Sequence, residues 1–116
     1  MEIQIIKKTI TKAELVRMAH EGFGELVKAV VDIEQGIMAI GGGLHADEEV
    51  VLTEQEHSKR EHTWGINIYP EKSCSEFIEF DSMINLKPWL NNRSRGVEDA
   101  TIREKIKSIV HTLILI

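Results

Sequence analysis

Cysteine occurs once, at Cys74, proline twice, and aromatic residues make up 5% of the 116 residues. A lone thiol closes no intramolecular bridge, so a disulfide scaffold is excluded. Two prolines and eight glycines exclude collagen-like and Pro/Gly-rich disordered chains. With so few rings, Trp64 reads as core and has no second aromatic to build a base-stacking groove. The longest apolar run, Leu113 to Ile116, is far shorter than the ~18 residues of a membrane span. The N-terminus opens with Glu2, Gln4 and Lys7 instead of a basic region and a long apolar stretch, and a cytoplasmic location is expected.

What is present is ordinary for a globular chain: 42% hydrophobic and 28% charged residues, enough for one α+β domain over 1–116. Nineteen acids against fourteen bases leave a net charge of −5, which repels nucleic-acid phosphates and anionic membranes.

Residues 2–10 alternate and read as an opening strand. Thr11-Lys12-Ala13-Glu14 has capping-box spacing, and Leu15, Met18, Ala19 and Phe23 recur at the helical period until Gly22 and Gly24 end it. Val27–Ile33 and Ile37–Ile40 flank Glu34-Gln35-Gly36, a hairpin with Gly36 in the left-handed position. After Gly41-Gly42-Gly43, a hinge or tight turn, residues 46–52 suit one or two helical turns, and the polar stretch 53–62 reads as a surface loop. A second hairpin pairs Thr63–Tyr69 with Glu76–Leu86 through the connection 70–75, placing Trp64, Ile66, Ile68, Ile78, Phe80, Ile84 and Leu86 in the core. Pro88 ends it, 91–96 is a loop, and Asp99 caps a last helix with the apolar stripe Ile102, Ile106, Ile109, Val110 and Leu113. The order β-α-ββ-(α)-ββ-α is met by an antiparallel sheet, built from two hairpins and the N-terminal strand, with helices packed on one face.

The alternation that buries Ile66 and Phe80 turns Asn67, Tyr69, Glu79 and Asp81 the other way. Glu79 and Asp81, at i and i+2 on a strand, stand about 6–7 Å apart, a spacing that suits a divalent cation or a guanidinium. A solvated face, or pairing with Arg93 and Arg95, is the commoner fate of such a pair. Asn92-Arg93-Ser94-Arg95-Gly96 gathers two guanidiniums before a helix, which fits a phosphate or carboxylate ligand and equally fits structural ion pairs. His45, followed by Ala46-Asp47-Glu48-Glu49, is the candidate base, with Asp47 beside it; the plainer reading is an acidic helix start with an incidental histidine. His45 lacks the i, i+4 partner of a helical zinc site, and Cys74 lacks a second cysteine. His20, His57, His62 and His111 read as surface, and neither Ser82 nor Cys74 has a nucleophile context.

Several runs carry a resemblance: Val30-Val31-Asp32-Ile33-Glu34, Gly36-Ile37-Met38-Ala39, Leu44 to Glu49, Trp64 to Pro70, Ile78 to Asn85 and Asn92 to Asp99. They resemble those of a small uncharacterised prokaryotic family defined only as a domain of unknown function. The resemblance covers nearly the whole chain and brings no activity with it. It implies that His45, Asp47, Asn67, Glu79, Asp81, Arg93 and Arg95 are family markers beside core positions. Gly43 departs from that pattern, where an acid is expected, and Trp89-Leu90-Asn91 replaces a more polar approach to Asn92-Arg93.

These features leave the function unknown and support three readings. The first is a protein-interaction module that docks a partner, or a second copy, through the acidic strand face and the Arg loop. The second is a metal-dependent or hydrolase-like enzyme in which Glu79 and Asp81 hold a divalent metal, His45 is the base and Arg93 and Arg95 hold an anionic substrate; a metal is the one cofactor considered. The third is a nucleic-acid-associated regulator using Arg93 and Arg95 against an unfavourable net charge. No sequence feature sets the oligomeric state, the sheet order or the distance from His45 to the carboxylates.

Overall fold

In the computed structural model, which describes residues 2–115, the opening strand is split in two. Gln4–Ile6 forms β1 and Ile10–Thr11 forms β2. Helix α1 follows at Lys12–Glu21, and its start is the expected capping box: Thr11 Oγ1 accepts from the Glu14 N–H at 3.1 Å and its hydroxyl donates to Glu14 Oε1 at 3.3 Å. The hairpin is β3, Val27–Asp32, and β4, Ile37–Ile40, with Gly36 at φ 70° as expected. Asp32 locks that turn, its carboxylate accepting from the backbone N–H of Glu34 and Gln35 at 2.9 and 3.1 Å.

Helix α2 spans His45–Glu56, so the first four residues of the expected 53–62 loop are helical. Strand β5 is Thr63–Ile68. The connection expected at 70–75 gives way to a single helical turn, α3, at Cys74–Phe77, and the partner strand expected over 76–86 shrinks to β6, Ile78–Glu79. Two 3₁₀ turns, Met83–Asn85 and Pro88–Leu90, fill the remainder, which leaves Leu86 partly exposed instead of in the core. Helix α4 is Ala100–Leu113, capped by Asp99 Oδ1, which accepts from Thr101 N–H at 2.7 Å. The chain then runs into β7, Ile114–Leu115, which pairs in parallel with β2; Ile116, the last residue of the apolar run, lies outside the described residues.

The sheet is five-stranded and antiparallel throughout, in the order β1-β4-β3-β5-β6. Both hairpins and the N-terminal strand therefore form the expected antiparallel sheet, in an order that the tertiary structure decides. The helices do not all share one face. Leu15 and Ala19 of α1 and Ile106, Val110 and Leu113 of α4 pack with Val27, Ala29, Val31, Met38, Ile40, Trp64, Ile66 and Ile68. On the opposite face Leu52 of α2 packs with Val30, Ile37 and Ala39, joined by Ile84. The central strands β3 and β4 are apolar on both sides, the pattern of a strand covered twice, and period-2 alternation cannot assign the second cover. Of the three glycines before α2, Gly41 lies against backbone and Gly42 against side chains, while Gly43 faces open space. A Cβ on Gly41 would lie 2.9 Å from the Glu2 carbonyl oxygen, and one on Gly42 would lie 2.9 Å from Glu48 Cγ.

Candidate functional site

Strand register sets Lys28, Asn67 and Glu79 in one row across β3, β5 and β6, on the sheet face that α2 partly covers. Glu79 is engaged from its own sheet: Asn67 Nδ2 donates to Glu79 Oε1 at 2.8 Å and the Tyr69 hydroxyl donates to the same oxygen at 3.2 Å. Asn67 is buried and its Oδ1 meets no donor among the described residues. Desolvation, followed by the Glu79 charge, raises the Tyr69 phenol above its ordinary value, and the Lys72 ammonium sits 4.3 Å from its ring centroid. Asp81 leaves the strand and pairs with Arg95, Nε to Oδ1 at 2.6 Å. The two carboxylates picked out as a pair thus have separate partners. Among the described residues no three His, Cys, Asp or Glu side chains gather so as to hold a metal ion.

His45 opens α2 and is buried, its Nε2 2.7 Å from the Ile66 carbonyl oxygen. A carbonyl only accepts, so Nε2 carries the proton and donates. Burial holds the imidazole below its ordinary value, and the charges of Lys28, Asp81 and Arg95 all act on it. The ring and Ser82 Oγ both press on Gly65, where a Cβ would stand 3.2 Å from His45 Cγ and 2.5 Å from Ser82 Oγ. Asp47 faces solvent in the first turn of α2. Glu48 in the same turn is fully buried: Oε2 accepts from the Gly42 N–H at 2.9 Å, Oε1 meets no donor among the described residues, and desolvation pushes its carboxyl up to about 9.

The 92–96 loop is built around its backbone. Asn92 Nδ2 donates to the carbonyls of Asn85, Ser94 and Gly96 at 2.7, 3.2 and 2.8 Å, and Asn92 Oδ1 accepts from Glu98 N–H at 2.8 Å. The Arg93 backbone N–H donates to Glu98 Oε2 at 2.8 Å and, as the largest cause, draws that carboxyl below its ordinary value. Arg93 itself is exposed.

Sequence reasoning carried a strand through Leu86 and gave Lys87, Trp89 and Leu90 no role in the site. Lys87, at a position read as the end of a strand, is fully buried, donates to the Ile84 carbonyl at 3.0 Å and lies 3.9 Å from Glu49 Oε2. Its ammonium stands between two indoles, 5.2 Å from the centroid of Trp64 and 5.7 Å from that of Trp89, and desolvation lowers it from its ordinary value. The Arg60 guanidinium lies over Trp89 at 5.9 Å and 3.6 Å from Glu49 Oε1. Rings and cations alternate outward from the core to solvent: Trp64, Lys87, Trp89, Arg60. Lys87 and Asn92 then close a tight loop with paired backbone bonds of 2.8 and 3.1 Å, and Asn91, at φ 61°, completes its turn. At its tip Trp89 is 59% and Leu90 38% exposed, and Met83 and Leu86 beside it in sequence are 61% and 36% exposed. The pair Trp89-Leu90, set directly after Pro88 and before the polar run 91–95, was the available signal.

No curated protein and no solved structure matches the chain. A family model described as a protein of unknown function (DUF5674) matches residues 4–113, nearly the whole chain, and contains all the runs that carried the resemblance. The chain belongs to this family of proteins of unknown function, DUF5674.

Proposed function

We propose that this domain is a protein-interaction module and that its contact surface is the loop tip of Trp89 and Leu90 with the flanking Met83 and Leu86. The observation that carries the reading is the exposure of these four large apolar side chains within eight residues, above a frame in which Asn85, Lys87 and Asn92 are all buried. Exposed apolar clusters on soluble chains mark binding sites, and tryptophan and arginine are the side chains most enriched where binding energy concentrates. A tip already fixed by its backbone bonds loses little freedom on docking. Glu79 and Asp81, the earlier candidates for the contact surface, are held by Asn67, Tyr69 and Arg95 and are better suited to rim contacts. The module acts in the cytoplasm, where a reducing medium keeps the exposed Cys74 a free thiol. No helix among the described residues is long and apolar enough to cross a membrane.

The test is a photo-crosslinking amino acid placed at position 90 in cells that express the full chain. A discrete adduct at Leu90, lost when Trp89→Ala is added and not formed from the exposed Lys105 position on α4, is the expected result. Equal background from both positions overturns the reading.

A further inference from the structure

The chemistry around Trp89 narrows the partner, on the footing of the interaction reading above. We infer that the Trp89 tip receives an acidic peptide segment of a partner protein, an apolar anchor packing on Trp89 and Leu90 while a flanking carboxylate pairs with the Arg60 guanidinium.

Three observations point this way. The Arg60 side chain is 66% exposed and makes no guanidinium hydrogen bond among the described residues; its one acidic contact is Glu49 Oε1 at 3.6 Å. Glu49 is otherwise occupied, accepting the Thr63 hydroxyl at 2.6 Å through Oε2, the oxygen that also faces Lys87. The guanidinium thus retains donors for an incoming carboxylate, and a planar two-pronged pair is the geometry it favours. Second, the exposed Lys59 precedes Arg60, Lys87 lies under Trp89, and the exposed Arg93 follows the loop-closing Asn92. The acids Glu49 and Glu98 at this end are already engaged, by Thr63, Lys87 and Arg60 and by the Arg93 N–H, and Glu61 follows Arg60 in sequence, so the attraction for an acidic segment rests on the exposed Arg60 beside Trp89. A second copy docking by the same face would set Arg60 against Arg60 across a two-fold axis, while a carboxylate of a separate acidic segment meets the open donors of that guanidinium. Third, two cations stand within about 6 Å of the Trp89 ring centroid, Lys87 at 5.7 Å and Arg60 at 5.9 Å, while the ring stays 59% and Leu90 38% exposed to take an apolar side chain.

The experiment is selection of a random twelve-residue peptide library on phage against the whole chain, with counter-selection on the Trp89→Ala protein. Expected is a consensus with two or more Asp or Glu around an aliphatic or aromatic residue. The synthetic consensus peptide, followed by fluorescence anisotropy, is expected to lose tenfold or more in Kd with Arg60→Glu, which keeps Trp89, and with Leu90→Ser. Trp89-dependent peptides that are neutral or basic overturn the acidic partner and leave the interaction reading standing. No Trp89-dependent enrichment together with no crosslink at Leu90 overturns both. A dimer in light scattering that disappears in Trp89→Ala assigns the tip to a second copy and overturns the inference.

Discussion

The side-chain amide of Asn85 meets both backbone groups of Gly65: Oδ1 accepts the Gly65 N–H at 2.8 Å and Nδ2 donates to the Gly65 carbonyl at 2.9 Å. The pairing of Asn67 with Glu79 would next set Asp81 opposite Gly65. The chain turns away at that point, and a carboxamide, with the same donor and acceptor as a peptide unit, completes the ladder. The same Nδ2 also reaches the Arg95 carbonyl at 2.9 Å. Asn85→Leu keeps the branched shape and leaves the buried N–H and carbonyl of Gly65 unpaired, while the Arg95 carbonyl keeps the Ser82 N–H at 2.9 Å. We expect a loss of about 3 kcal/mol in urea denaturation, because each orphaned buried group costs about 1–3 kcal/mol.

Neighbouring residues of the 92–96 loop are expected to respond very differently. Asn92→Ala removes four bonds from a buried position and should cost about 2–4 kcal/mol. Arg93→Ala, at an exposed side chain, should stay within about 0.5 kcal/mol. Arg95→Ala breaks a half-exposed pair with Asp81 and should cost less than about 1 kcal/mol, shrinking further in 1 M salt. Chemical denaturation of the three variants checks the order.

Glu48 makes stability fall with rising pH. Its carboxyl stays protonated in the fold up to about 9, whereas in the unfolded chain it ionises near its ordinary 4.5. Below 4.5 both states hold the proton and the contribution is complete; above it the unfolded chain releases the proton, and stability declines by about 1.4 kcal/mol per pH unit until the folded group ionises in turn. Glu48→Gln keeps an acceptor for the Gly42 N–H and cannot ionise. The variant should gain on the wild type steadily from pH 5 to pH 8.5 in guanidinium denaturation, and parallel curves would refute the assignment.

For His45 the prediction is spectroscopic. Imidazole ¹⁵N shifts should show the Nε2–H tautomer with Nδ1 unprotonated at pH 7, since Nε2 faces the Ile66 carbonyl at 2.7 Å. Titration should fall below 6.5, as burial disfavours the charged ring. The folded value is the depressed one, so stability from this group is present above 6.5 and is lost as pH falls through the folded value. A midpoint above 6.5 would contradict the buried placement.

The two tryptophans separate folding from surface chemistry. Trp64 is 1% exposed and Trp64→Ala should cost about 3–5 kcal/mol. Trp89→Ala, at a side chain that mostly faces solvent, should cost about 1 kcal/mol or less, chiefly through its contacts with Lys87 and Arg60. Thermal melts of both variants test the contrast.

Much of the scaffold was legible in short stretches of residues. Thr11 and Glu14, Asp99, and Gly36 act within one turn of the backbone, so their spacing carries their geometry. The alternation of Trp64, Ile66 and Ile68 against Asn67 and Tyr69 correctly divided a strand into two faces. The same alternation carried the partner strand to Leu86, seven residues past its end at Glu79, because apolar spacing does not register that Asn85 replaces the backbone in the ladder. In the candidate site, Asn67, Tyr69 and Glu79 were rightly set on one surface, while the Trp89 loop was missed because exposure of an apolar side chain depends on what packs beside it.

Local chemistry along the chain thus settled the caps, the first hairpin turn, the amphipathic α4 and the α+β class, since each rests on groups a few residues apart. Long-range packing settled the rest: α2 on the second face, the burial of Glu48 and Lys87, and the bond of His45 to the Ile66 carbonyl. Whether a carboxylate or an ammonium stays in water is set by the atoms that surround it in space. Those atoms come from segments tens of residues apart, and no spacing rule in the chain carries their distance.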